Sequence, residues 1–300
     1  MKVRTRIAPS PTGSPHVGTA YQALMDYAYA KKNGGQFIVR IEDTDKKREV
    51  AGAEEELFAA LNWLGIVPDE SPIVGGPFAP YRQSERLDIY KKHALELVEK
   101  GAAYFCFCPK DRLDEIRTKQ EKEGKPPKYD GLCRELDPKE SLKRFEKGEP
   151  AVIRLKVPGG GKTVAEDPIR GKIIFDNAEI DDQVLLKSDG FPTYHLAAIV
   201  DDHIMQITHP VRGEEWLPSY PKHKLIYDGF GWDMPQYLHT ATLRGSKREK
   251  LGKRFGHSSL NWFRAQGYLP EALLNYLALL GWSHPQQKEF FTLEEFAFYI

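Results

Sequence analysis

Three groups of residues have the types and spacing to do chemistry. The first is the run Arg6-Ile7-Ala8-Pro9-Ser10-Pro11-Thr12-Gly13-Ser14-Pro15-His16-Val17-Gly18-Thr19, which stands where a strand gives way to a helix. A glycine in the opening turn of a helix that follows a parallel strand lets a phosphate chain approach the backbone. There, unpaired N–H groups and the helix dipole favour an anion. His16 adds a donor at the same place, although a lone His-x-Gly commonly marks nothing more than a helix start. The second group is Lys250-Leu251-Gly252-Lys253-Arg254, preceded by Ser246-Lys247-Arg248-Glu249. Such a basic loop could hold a triphosphate and stabilise charge building on a leaving pyrophosphate, and on its own it reads equally as a solvated charged loop. The third is Cys106-x-Cys108, then 24 residues, then Cys133, the three cysteines of the chain. An odd number of clustered thiols fits a reduced compartment and a structural metal better than a disulfide framework. Three thiolates want a fourth ligand for tetrahedral zinc; no histidine lies nearby, and Tyr129, four residues before Cys133, or Glu135, two after it, is the candidate.

These residues need a scaffold. Residues 2–8 alternate as a short strand, and the proline-rich run 9–15 breaks it. Val17, Ala20, Leu24, Tyr27 and Ala28 recur at helical spacing up to Gly34-Gly35, and residues 36–41 read as a second strand. Strand, turn, helix and strand form a βαβ unit with a right-handed crossover and parallel strands. Amphipathic helices are predicted over residues 52–63 and 84–100, the latter closed by Gly101. Between 101 and 184 the pattern changes to a Lys- and Glu-rich helix over 110–123, a loop at 124–127 and antiparallel-looking strands at 151–157 and 172–175. An inserted domain accounts for the change. From 184 to 243 the α/β pattern resumes, with strands at 184–187 and 237–243 and a helix over 214–228. Beyond Asn261 the chain is helical, with Pro270 at a first-turn position. Thr292-Leu293-Glu294-Glu295 is a capping box that opens a helix, yet the sequence stops at Ile300, so a truncated chain is expected.

Together, the two anion-binding segments resemble the paired signature sequences of class I aminoacyl-tRNA synthetases. The likeness narrows with Val39-Arg40-Ile41-Glu42-Asp43-Thr44-Asp45, Tyr81-Arg82-Gln83-Ser84-Glu85-Arg86, Pro192-Thr193-Tyr194-His195-Leu196-Ala197 and Val200-Asp201-Asp202-His203, which look like the glutamyl-tRNA synthetase family, bacterial type. The resemblance implies that Arg6, Ala8, Ser10, Glu42, Tyr194 and Arg212 surround glutamate, and that Pro9, His16, Gly18, Thr19, Glu215, Thr242, Leu243 and Lys253 face ATP. It makes His16, Lys250 and Lys253 the catalytic residues. Physical chemistry agrees: an acidic substrate wants bidentate donors and its ammonium wants a carboxylate. One departure is Gly252, where the family usually has serine. It keeps the backbone N–H and loses a hydroxyl.

The implied fold is α/β, a Rossmann-like doubly wound parallel sheet. Its halves are residues 1–80 and 185–244, interrupted at 81–184 by an α+β acceptor-binding domain with the zinc site and followed at 245–300 by the start of a helical stem-contact domain. Expected ligands are L-glutamate, ATP with Mg²⁺, structural Zn²⁺ and the acceptor end of a tRNA. The tRNA would meet Arg112, Arg117, Lys119, Lys122, Lys125, Lys128 and Arg134, interleaved with Tyr104, Phe105, Phe107 and Tyr129. Net charge is zero, so whole-chain attraction to phosphate is excluded and only such local patches could hold RNA. With no apolar run of membrane length and no signal-peptide core, a cytoplasmic monomer is expected. Two alternatives stay open: the shorter paralogue that glutamylates a modified anticodon base, and a tRNA-binding fragment impaired by Gly252.

Overall fold

A computed structural model describes residues 2–243 and 258–300. It opens with β1 (Arg4–Ile7), α1 (Val17–Lys32) and β2 (Gln36–Val39). The two strands pair in parallel with Arg4 opposite Gln36 and Ile7 opposite Val39. Ala20, Ala23, Leu24 and Ala28 form the buried stripe of α1, and small side chains there let the helix lie close to the sheet. Gly34, at φ +57°, makes the turn into β2. Beyond β2 come α2 (Ala53–Trp63) and two further parallel bridges on its open edge, Ile38 to Glu70 and Ile41 to Arg82.

The insertion contains α3 (Leu87–Glu99), β3 (Ala103–Cys106), α4 (Lys110–Lys122), α5 (Pro138–Glu146), β4 (Val152–Leu155), β5 (Lys162–Asp167), β6 (Gly171–Asp176) and β7 (Val184–Leu186). β3, β4 and β7 make one antiparallel sheet in that order, and β5 and β6 a separate hairpin. Val184–Leu186 therefore does not resume the parallel sheet as its sequence suggested. It pairs antiparallel with β4, Ile153 opposite Leu186. A short apolar run carries no mark of its partner's direction.

The chain then returns through α6 (Tyr194–Ile204), β8 (Val211–Gly213), α7 (Tyr220–Phe230) and β9 (Leu238–Thr240). β8 and β9 are parallel. Thr208 and His209, just before β8, donate backbone N–H bonds to Arg4 O at 3.0 and 3.2 Å, which sets this pair beside β1. The parallel order β2, β1, β8, β9 reverses between β1 and β8, and open α/β sheets bind ligands at such a switch point. The helix expected over 214–228 is split into a 3₁₀ turn, Glu214–Ser219, and α7. Pro218 lacks the N–H an α-helix needs, and Pro221 suits a first turn. Helices α8 (Leu260–Ala265), α9 (Pro270–Leu279) and α10 (Leu293–Tyr299) close over α1, α10 opening on the expected cap, with Thr292 Oγ1 accepting from Glu295 N at 3.1 Å.

Two apolar cores result. One joins α1, β1, β2, α2 and the closing helices; the other joins α3, the antiparallel sheet, α6 and α7. No helix among the described residues is long and apolar enough to cross a membrane.

Candidate active site

A cleft of about 780 Å³ opens at the switch point, within the usual size of small-molecule sites. Arg6, Ala8, Pro9, Ser10, His16, Gly18, Thr19, Glu42, Tyr194, Arg212, Glu215, Thr242 and Leu243, every described residue the sequence nominated for glutamate or ATP, line it. Lys250 and Lys253, together with Gly252, lie outside the described residues. The flanks of that segment are placed: Leu243 lines the cleft, and Ser258 O and Pro15 O accept from Val17 N and Leu260 N, so residues 258–260 run alongside His16. Arg48, Lys187 and Trp216 also line the cleft and carried no sequence signal.

The start of α1 differs from expectation in one respect. Its first N–H groups are already engaged: Val17 N with Ser258 O, Gly18 N with His16 Nδ1 at 3.0 Å, and Thr19 N with His16 O. The unpaired backbone donors expected there are absent because the chain caps itself. Since Nδ1 accepts, Nε2 of a neutral His16 carries the proton. Gly18 is required by that arrangement, for a Cβ at this position would stand 2.7 Å from the His16 ring.

Beneath the cleft lies a buried charge cluster. Arg6 gives Nε and Nη2 to the two oxygens of Asp202 at 3.0 and 2.9 Å, leaving Nη1 outside that pair. Arg40 binds Asp202 at 2.7 Å and Glu42 at 3.2 Å, and Arg86 binds Asp201 at 2.8 Å. Three guanidinium groups thus face three carboxylates. Glu42 lies just past the carboxyl end of β2, where its N–H reaches Pro9 O. Burial pushes the Glu42 carboxyl above its ordinary range, against the opposing pull of Arg40 and Arg6.

Arg212 is different. It is 5% exposed, and no carboxylate among the described residues pairs with it. Its Nε donates to His239 Nε2 at 2.8 Å, and Nη1 to His223 Nδ1 at 3.1 Å and Tyr194 Oη at 3.3 Å, while Nη2 is buried without a partner among the described residues. An arginine can only donate, so these contacts dictate tautomers. His239 must carry its proton on Nδ1, which donates to Asp167 Oδ2 at 2.6 Å. His223 must carry its own on Nε2, 3.3 Å from His195 Nδ1. Burial and the nearby guanidinium keep all three rings neutral, holding His239 down to about 4 and, with Lys222 also contributing, His195 down to about 3. The cleft therefore presents a buried cation without a counter-ion among the described residues.

The thiols of Cys106, Cys108 and Cys133 lie within 4.8 Å of one another, Cys108 to Cys133 at 3.6 Å. The Tyr129 hydroxyl is 3.2 Å from Cys108 Sγ, whereas the Glu135 side chain is 80% exposed and paired with Arg134 and Lys156. Burial raises the Cys106 thiol, but hydrogen bonds from Tyr129 and Arg154 overcome it and leave it below its ordinary value. Burial and Cys133 push Cys108 up to about 11. Thiols so crowded cannot all ionise without a cation among them.

The basic and aromatic surface expected around this cluster is only partly available. Tyr104 and Phe105 are buried in β3, and Phe107 and Tyr129 are covered by Arg144 and Arg154 at 3.8 and 4.1 Å. Arg112, Arg117, Lys125 and Arg134 are engaged by Asp130, Glu121, Glu123 and Asp182. The aromatics face inward because β3 is a strand of the insertion's core, which the charged residues around it concealed.

The family model for the catalytic domain of class I tRNA synthetases (E and Q) matches residues 2–300. The chain is 55% identical over 295 residues to glutamate–tRNA ligase of Fusobacterium nucleatum, covering 98% of this chain and 58% of that protein. It is 57% identical to the Thermus thermophilus glutamate–tRNA ligase, again over 98% of this chain and 62% of the relative. A solved glutamate tRNA ligase from Elizabethkingia meningosepticum, in complex with its amino acid, superimposes with a TM-score of 0.93 at 44% identity, covering the whole of this chain and 65% of that one. The chain thus spans about three fifths of the length of the curated relatives it matches.

Proposed function

The chain belongs to the class I tRNA synthetases (E and Q) by its catalytic domain, and on that premise we propose that it activates L-glutamate with ATP and transfers it to the 3′ end of tRNA(Glu). The observation that carries the reading is Arg212, a buried cation at the cleft with no acidic partner among the described residues. Buried charges persist when paired, and a substrate side-chain carboxylate supplies the missing partner. Arg6 Nη1 lies outside the Asp202 pair and offers a further donor, and Glu42 offers a carboxylate for the substrate ammonium. Tyr194, its hydroxyl on Arg212 and its ring 4.5 Å from Trp216, walls the pocket.

In the first step the α-carboxylate of glutamate attacks the α-phosphorus of ATP and pyrophosphate leaves with the electron pair of the broken P–O bond. In the second a ribose hydroxyl of the tRNA attacks the acyl carbon, loses its proton and displaces AMP. No covalent nucleophile of the protein is needed. The chain contributes position and charge: His16 for the phosphates, Thr242 and Glu215 for the nucleotide and, outside the described residues, the basic pair Lys250 and Lys253 for charge on the leaving pyrophosphate. Mg²⁺ would enter with the substrate phosphates, whose charge it would neutralise.

The thiol cluster fits structural zinc. Sulfur atoms of a tetrahedral site stand roughly 3.8 Å apart at a Zn–S distance of about 2.3 Å, close to the observed spacing. Cys106, Cys108, Cys133 and Tyr129 would hold it, and the ion would staple the loop after β3 to the segment around Cys133. The relatives compared above support the synthetase over the paralogue that modifies an anticodon base.

Calorimetric titration with L-glutamate and L-glutamine tests the glutamate assignment. Glutamate should bind and glutamine should bind far more weakly, because a neutral amide leaves Arg212 unpaired at a cost on the order of several kcal/mol. Equal affinities would refute it.

A further inference from the structure

The inserted hairpin reaches into the support of the cleft. We propose that Asp167, at the turn joining β5 to β6, is a positioning residue for glutamate recognition that acts through His239 on Arg212; this rests on reading the cleft as the glutamate site. Asp167 is 2% exposed, and each of its oxygens accepts two N–H groups. Oδ2 takes His239 N at 2.9 Å and His239 Nδ1 at 2.6 Å; Oδ1 takes Ile169 N at 2.7 Å and Arg170 N at 3.0 Å. Four N–H groups converge on its two oxygens, so both ends of the side chain act as acceptors. The proton is thereby held on Nδ1 of His239, and Nε2 is left as the acceptor for Arg212 Nε at 2.8 Å. With the proton on Nε2 instead, two donors would face each other and the guanidinium would turn away.

The rest of the turn reinforces the placement. Arg170 donates to His239 O at 3.2 Å and to Glu214 Oε2 at 2.7 Å, and Tyr220 Oη donates to Glu166 O at 2.5 Å. A hairpin of the insertion therefore grips β9, the turn after β8 and the start of α7 at once. It does so on the side of Arg212 away from Tyr194, through His239.

The test combines ring ¹⁵N spectra of His239 with glutamate and ATP titrations of the wild-type chain, Asp167→Asn, His239→Gln and the double variant. Wild-type His239 should be protonated on Nδ1. Asp167→Asn should shift that tautomer and weaken glutamate by about tenfold or more, the scale on which outer hydrogen-bond partners of a binding residue act. ATP affinity should be unchanged. In the His239→Gln background, whose amide oxygen can still accept from Arg212, the Asp167 substitution should add nothing. A wild-type His239 protonated on Nε2 overturns the proposal without any variant having to fold, as does an Asp167→Asn chain that binds glutamate normally. If the wild type fails to bind glutamate while Asp167→Asn still shifts the tautomer, the relay stands and the glutamate reading falls.

Discussion

Asp202→Asn should be among the most damaging single substitutions in the catalytic half. Asp202 accepts from Arg6 Nε at 3.0 Å, Arg6 Nη2 at 2.9 Å and Arg40 Nη1 at 2.7 Å, and all three side chains are buried. An asparagine keeps one acceptor oxygen and turns an amide NH₂ toward a guanidinium; Arg40 keeps Glu42 and Asp201, but Arg6 loses its carboxylate partner in the interior. Removing one member of a buried ion pair costs about 3–5 kcal/mol, a large part of a total stability of about 5–15 kcal/mol. At about 2 °C per kcal/mol for a chain of this size, the melting temperature should fall by roughly 6–10 °C. The pH dependence gives a second check. Burial alone would raise the Asp202 carboxyl, but Arg6 and Arg40 hold it below its ordinary value. Its stabilisation is therefore present above the ordinary carboxylate range and lost as pH falls through the lower folded value. The two melting curves should be far apart at neutral pH and converge in strong acid. A shift of less than about 2 °C at pH 7, judged on the same scale, would refute the view that this cluster depends on each of its charges. Arg117→Ala, which breaks an exposed pair with Glu121, serves as the control and should leave melting unchanged.

Asp26 should behave in the opposite sense. It is buried, its Oδ1 has no partner among the described residues, and burial raises its carboxyl well above the usual range, so stability should decline as pH rises from about 4 through the raised value. Asp26→Asn should flatten that slope, and an unchanged slope in urea titrations at several pH values would contradict it. Elemental analysis should find one zinc per chain; Cys133→Ser should abolish it and Tyr129→Phe weaken it, while chelation should lower the melting temperature, and a metal-free native chain would sink the assignment. Gly18→Ala should displace His16 and weaken ATP without weakening glutamate in paired titrations, since the new Cβ meets the ring at 2.7 Å. Equal loss of both ligands would point instead to general damage.

Local signals in the sequence were enough for the first βαβ unit. Alternation over 2–8, the prolines that follow it and Gly34 act within a few residues of one another, and β1, α1 and β2 lie where they indicate. The thiol cluster was legible for the same reason. Among the elements missed, β3 and α6 had no pattern of their own. β3 is four buried residues. α6 is buried on nearly every side and contains Asp201 and Asp202, so no amphipathic stripe reveals it. In the cleft, the residues proposed to meet substrate were readable through motifs, but those that hold them were not. Arg6 meets Asp202 across 196 positions, and His239 meets Asp167 across 72. A bond of that span leaves no periodic trace, and a lone aspartate in a hairpin reads as a turn residue. The self-capping of α1 was hidden likewise, because its partner, Ser258, arrives from the far end of the chain.

The tautomers imposed by Arg212 have a consequence for acidity. His239 and His195 take up protons only near 4 and 3, and His223 is likewise held well below its ordinary value. The three imidazoles therefore stay uncharged across the interval in which free histidine titrates, and add no charge of their own beside the Arg212 guanidinium. A pocket surrounded by histidines is in this way insulated from cellular acidification, and its affinity for a carboxylate should run level from neutrality down to about pH 5.5.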